Sequence, residues 1–143
     1  MPKQITGKLT TGRYHIQNAD NGLFLELTLM YEESPVICTH PSPTATQNWD
    51  ITDIGHGLYM IRNQAQSLFA NTKPCILPKR GMALHGKAQK PDAFLIKETT
   101  TPGKYWIYTD HSRVYWFLPR GQIDTEVAFG IESDSRNQWS FFY

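Results

Sequence analysis

The chain is 143 residues long (16.4 kDa), with 14 basic and 13 acidic residues and a formal net charge of +1. That length can bury about 68–70% of its unfolded surface in one core without metals or disulfides, and the near-neutral balance excludes an electrostatic footprint for nucleic acid or an anionic membrane. With 13% aromatic and 19% charged residues and no long apolar helical pattern, the composition is that of an all-β domain.

The opening segment MPKQITGKLTTG has no apolar core, so it does not read as a signal peptide, and no stretch of the chain approaches the ~20 apolar residues of a membrane span. A soluble, cytoplasmic protein is expected. The first strand is GRYHI from Gly12, where period-two alternation points Tyr14 and Ile16 to one side. NADNG follows, and its Asn21-Gly22 pair is a strong hairpin signal. LFLEL from Leu23, PVICTH and QNWDI complete a unit of about four short strands. Cys38 in PVICTH and Cys75 in KPCILP are expected to be buried free thiols, since two cysteines make no disulfide scaffold.

The pattern then repeats. GLYMI starts at Gly57 and GKYWI at Gly103, so Tyr14, Tyr59 and Tyr105 stand 45 and 46 residues apart, and Ile16, Ile61 and Ile107 keep that spacing. The second strands LFANT and VYWFL follow at the same offset as LFLEL, and Trp49, Phe94 and Trp139 open the last strand of each unit at a period of 45. Three landmark sets at one period predict three units sharing a core around a threefold axis, near 12–56, 57–102 and 103–143 of a single domain. A closed sheet would leave no edge strands. The nine repeated Tyr, Ile and Trp or Phe residues are read as core rather than as a site.

Threefold Gly-x-Tyr-x-Ile with a closing Gln/Asn-x-Trp resembles the β-trefoils, in particular the ricin-B-like lectins and the small mushroom proteins of that fold that inhibit proteases or bind glycans. The likeness covers residues 12–143: the stretch from GRYHI to QNWDI is similar to their first repeat, and GKYWIYTD with EVAFGIESDSRNQWSFF to their last. It implies an all-β β-trefoil, no catalysis, no cofactor, and a protease or a glycan as the partner.

The residues agree on the absence of enzymatic motifs. His15, His40, His56, His85 and His111 show no metal-ligand spacing, and no nucleophile elbow, phosphate loop or carboxylate pair is present. His111 has Asp110 and Ser112 beside it, but adjacent residues rarely face one another as a triad must. Ricin-type lectins place a sugar-holding aspartate at the end of the second strand. The matching positions here hold Glu26, Asn71 and Phe117, and His40 stands where an aromatic of the third strand is usual. Tyr31, Trp106, Tyr108, Tyr115 and Trp116 alternate along their strands, so some face outward, either to stack on sugar rings or to plug the barrel. The candidate sugar residues are therefore Glu26, His40, Asn71, Trp106 and Tyr108.

Loops carry the other reading. A rigid loop displaying an arginine or lysine suits the carboxylate-bottomed pocket of a trypsin-like protease. Arg136 in ESDSRNQ, with Ile131 and Trp139 as expected core anchors on either side, is the first choice. Arg120 in LPRGQ and the Lys79–Arg80 pair in LPKRGMALHGKAQKPD, read as the longest connection, are the others. With the ricin-type sugar residues drifted, a loop-mediated inhibitor of a serine-type protease is the leading expectation and a glycan-binding lectin the alternative.

Overall fold

The repeated landmarks occupy equivalent places in the computed structural model, which describes residues 3–72, 81–88, 92–110, 112–131 and 135–143. Thirteen strands are present among them: β1 (Gly12–Asn18), β2 (Phe24–Glu26), β3 (Ile37–Thr39), β4 (Trp49–Gly55), β5 (Leu58–Asn63), β6 (Phe69–Asn71), β7 (His85–Lys87), β8 (Phe94–Glu98), β9 (Tyr105–Tyr108), β10 (Tyr115–Phe117), β11 (Thr125–Glu126), β12 (Ala128–Gly130) and β13 (Trp139–Phe142). Antiparallel pairing runs β1–β4, β4–β5, β5–β8, β8–β9, β9–β13 and β13–β1, which closes a six-stranded barrel. Three hairpins, β2–β3, β6–β7 and β10–β12, each hang from the first strand of their unit through β2, β6 and β10. This is a β-trefoil.

The repeated side chains fill the barrel. Tyr14, Tyr59 and Tyr105 are no more than 1% exposed, and Ile16, Ile61, Ile107, Trp49, Phe94 and Trp139 are fully buried. Each strand-ending turn repeats one device: the amides of Asn18, Asn63 and Thr109 bond the carbonyls of Leu23, Leu68 and Val114 at 2.8–3.0 Å. The first of these turns uses Gly22 at φ +79°, the left-handed conformation that the Asn-Gly pair signals.

On the axis, the hairpins meet in a ring. The amide of Val36 donates to the carbonyl of Leu84 (3.0 Å), that of Leu84 to Val127 (3.0 Å), and that of Val127 back to Val36 (2.8 Å). At the other end the N-terminal segment serves as a plug. The hydroxyls of Tyr14 and Tyr59 donate to the carbonyls of Thr10 and Leu9 at 2.6 Å, and that of Tyr105 to Gly7. Three threefold-related hydroxyls converge on four consecutive residues, which places that segment across the barrel mouth with Leu9 buried beneath it. Glu98 latches the plug: its Oε2 accepts the amides of Gly7 (3.0 Å) and Gly103 (2.8 Å).

Three expectations change here. The stretch read as the longest connection contains β7, hidden because Gly86 at its centre looks like a breaker. A Cβ there would lie 3.0 Å from Leu27 and 3.1 Å from Leu68, so any side chain at this position would have to displace those leucines by a few tenths of an ångström. Ile131, expected in the core, is 44% exposed. Trp116, counted among candidate outward aromatics, is fully buried against Phe94 (centroids 5.0 Å apart, edge to face). Cys38 is free and buried, and burial pushes its thiol pKa up; Cys75 lies outside the described residues.

If the segment is a true plug, Leu9→Ala should cost about 2–5 kcal/mol in chemical denaturation, as other buried leucines do, while Leu29→Ala, exposed in the β2–β3 loop, should cost less than about 0.5 kcal/mol.

The latch gives a pH-dependent prediction. The Gly103 amide first, and the Gly7 amide second, hold the Glu98 carboxyl below its ordinary range. A depressed folded pKa adds stability above the unfolded value, and that stability is lost as pH falls through the folded one. Wild type should be more stable than Glu98→Gln at pH 7. The difference should shrink in urea titrations taken below about pH 4, the ordinary glutamate range.

Candidate functional site

The end of the second strand in each unit occupies one threefold-related position, fixed by the pairs Glu26–Ile37, Asn71–His85 and Phe117–Ala128. The three positions have different surroundings.

In the first unit the loop before β4 lies against Glu26. Thr46 Oγ1 donates to Glu26 Oε2 at 2.6 Å, so Thr44 Oγ1, 2.6 Å from Thr46 Oγ1, must donate to it, and Ser42 Oγ stands 3.2 Å from Thr44 Oγ1. The result is a hydroxyl relay running from an exposed threonine to a carboxylate that is 9% exposed. Glu26 Oε1 has no partner among the described residues. Gln47, buried under the loop, fixes its shape: Nε2 donates to the His40 carbonyl (2.8 Å) and Oε1 accepts the Ser42 amide (2.9 Å). A short 3-10 turn, Ala45–Gln47, presents Thr46, whose carbonyl is held by Asn63 Nδ2 at 2.8 Å. His40 takes part through its backbone, with its ring on the exposed side of the loop.

The second unit uses its polar group internally. Asn71 Oδ1 accepts the amide of Asp92, and Asp92 Oδ2 accepts both the amide (2.7 Å) and the hydroxyl (2.6 Å) of Thr72. In the third unit the position is covered. The Arg136 guanidinium sits 5.4 Å over the Phe117 ring and donates from Nη1 to the Pro119 carbonyl at 2.6 Å. The backbone carbonyl of Arg136 accepts from Asn18 Nδ2 (3.0 Å) and from the Leu118 amide (3.3 Å).

The remaining expected site residues do not gather at one place. Trp106 is half-buried on β9. Tyr108 is buried face to face with Tyr115 (4.8 Å, 26°), which takes up the ring face a sugar would use. Arg120 is exposed in the turn after β10. Lys79, Arg80 and His111 lie outside the described residues. Among the described residues, no group of three or more His, Cys, Asp or Glu could hold a metal ion.

No protein-family model and no curated protein sequence matches the chain. Solved structures do. A designed threefold-symmetric protein, ThreeFoil, superposes with a TM-score of 0.84 at 14% identity over 92% of this chain and 98% of its own. The Rhizoctonia solani agglutinin gives 0.82 at 17% identity over 94% and 96%. A Macrolepiota procera ricin B-like lectin, solved in complex with lactose, gives 0.81 at 14% identity over 93% and 96%. At such identities the likeness establishes the fold.

The expectation of a protease-binding arginine loop is overturned. Arg136 is half-buried, with its guanidinium over Phe117 and donating to the Pro119 carbonyl. The similar structures of natural proteins just described are lectins. A loop arginine would be dispensable for stability. As a docked one, Arg136→Ala should cost about 1–2 kcal/mol in urea denaturation, the range of one charged hydrogen bond with a cation–π contact.

Proposed function

We propose that this chain is a carbohydrate-binding protein whose sugar site is built on Glu26, Thr44 and Thr46 in the first unit. The observation that carries this is the half-satisfied carboxylate: one oxygen of Glu26 is spent on Thr46, while the other has no partner among the described residues. A carboxylate accepting hydroxyl protons makes charge-assisted bonds about twice as strong as neutral ones. The exposed Thr44 hydroxyl, whose proton is committed to Thr46, supplies an acceptor at the rim. Such a set recognises a polyhydroxylated ligand by direction, with no metal or cofactor called for. The fold shared with two fungal proteins named as a lectin and an agglutinin, one of them solved with lactose, supports the reading.

Glu26→Gln keeps the shape of the side chain and removes its charge. On a glycan array, wild type should bind a restricted set of glycans, and Glu26→Gln should weaken that binding tenfold or more, the loss of about 1.4 kcal/mol expected for a charged hydrogen bond. Wild-type protein that retains no glycan, or a folded Glu26→Gln variant that binds equally well, would sink the reading.

A further inference from the structure

A cleft of about 770 Å³ opens on the outside of the barrel between β1, β2, β13 and the 41–43 loop. Its lining includes Phe24, Phe142, Tyr143, Pro41 and Pro43. Phe24 lies 6.3 Å from Phe142 and 6.4 Å edge to face from His15. Four polar side chains join it in the lining; Gln47 is spent on the His40 carbonyl and the Ser42 amide, and three remain. The His15 ring makes no hydrogen bond among the described residues. Gln17 uses only its Nε2, on the Gly22 carbonyl (3.0 Å), and leaves Oε1 free. Ser42 Oγ is the third, and no lining side chain is an acid, a lysine or an arginine.

The threefold axis supplies an internal control. Phe24, Phe69 and Tyr115 pair with Gln17, Arg62 and Tyr108 at equivalent register. In the second unit the Arg62 guanidinium lies over the Phe69 ring at 6.0 Å, and in the third Tyr108 stacks on Tyr115 at 4.8 Å. In the first unit the partner folds back to Gly22, so the Phe24 ring is left facing the cleft. Of the three related rings, only Phe24 has no side chain from its own register partner over it.

We infer that this cleft is a second subsite that takes an uncharged pyranose residue of the same glycan bound at Glu26. The inference rests on the carbohydrate-binding reading above. Aromatic plates offer the apolar C–H face of a pyranose its stacking surface, while His15, Gln17 Oε1 and Ser42 meet its hydroxyls. A lining without charged side chains disfavours phosphates, sulfates and charged peptides. Ser42 belongs to both places: its hydroxyl lines the cleft and begins the relay through Thr44 and Thr46 to Glu26. An oligosaccharide crossing the 42–46 loop would touch both subsites, whereas a monosaccharide at Glu26 would reach only one.

The test is calorimetric titration with lactose against galactose, chitotriose against N-acetylglucosamine, and mannotriose against mannose. For the sugars that bind, Glu26→Gln should weaken oligosaccharide and monosaccharide alike. Phe24→Ala should weaken the oligosaccharide about tenfold and leave the monosaccharide within twofold. His15→Ala, on the cleft rim and outside the core, should show the same split at about threefold, and it decides the matter if Phe24→Ala does not fold. Equal losses for both sugars, or no loss, in the cleft variants would overturn the subsite while leaving the Glu26 reading intact. Cleft variants that weaken binding when Glu26→Gln does not would move the primary site to the cleft. Failure of all six sugars to bind would overturn both readings. Binding of a proline-rich peptide that is lost in Phe24→Ala would assign the cleft to a different ligand.

Discussion

The three amides of Val36, Leu84 and Val127, each donating to the next around the axis, are what the rest of the molecule answers to. All three residues are fully buried, so no water can stand in for a missing partner. Each is donor to one neighbour and acceptor to the other, and removing one would orphan a donor and an acceptor at once, at about 1–3 kcal/mol each. The ring closes only if three hairpins reach the axis at the same depth. That geometric demand explains why the chain returns to Gly-x-Tyr-x-Ile three times, at spacings of 45 and 46 residues. It also explains why Gly86 is wedged between Leu27 and Leu68. A side chain at that point would press on both leucines beside the ring.

Under that constraint the core varies its side-chain volumes between units rather than repeating them. Leu25, Ala70 and Trp116 are equivalent, as are Trp49, Phe94 and Trp139. The large Trp116 packs edge to face on Phe94, where the other units place the smaller buried Leu25 and Ala70. The polar consequence is local. Trp49 and Trp139 donate their indole N–H groups at 3.0 Å to the carbonyls of Leu25 and Trp116. Phe94 has no N–H to offer the equivalent carbonyl of Ala70. The symmetry of the backbone therefore survives substitutions that side-chain symmetry does not.

That difference decides what could be read from the sequence. The landmark residues are apolar, periodic and buried, so their spacing carried the fold. The plug is one leucine in a polar segment, held by three tyrosine hydroxyls, two of them from strands 50 and 98 residues along the chain, and no local pattern encodes those two contacts. Glu26 was legible as a carboxylate in a position related folds use for sugar. Its partner Thr46 lies 20 residues on and is brought to it only by the loop that Gln47 ties down. Arg136 was misread for a similar reason. Between serine and asparagine it looks like a solvated loop charge, and nothing nearby in sequence shows that Phe117 lies beneath it.

The three equivalent surface positions differ in what they do for the fold. Asn71 is tied into the Asp92–Thr72 network, and Phe117 is roofed by an arginine whose backbone carbonyl anchors Asn18 of the next unit around the barrel. Both spend their binding capacity on holding neighbouring segments in place. Glu26 has not been absorbed in this way. One oxygen of this buried carboxylate accepts from Thr46, and the other has no partner among the described residues. A group left in that condition gains most from a ligand that brings hydroxyl donors. The first unit can carry it because the axial ring and the plug, to which all three units contribute, hold the barrel without help from this corner.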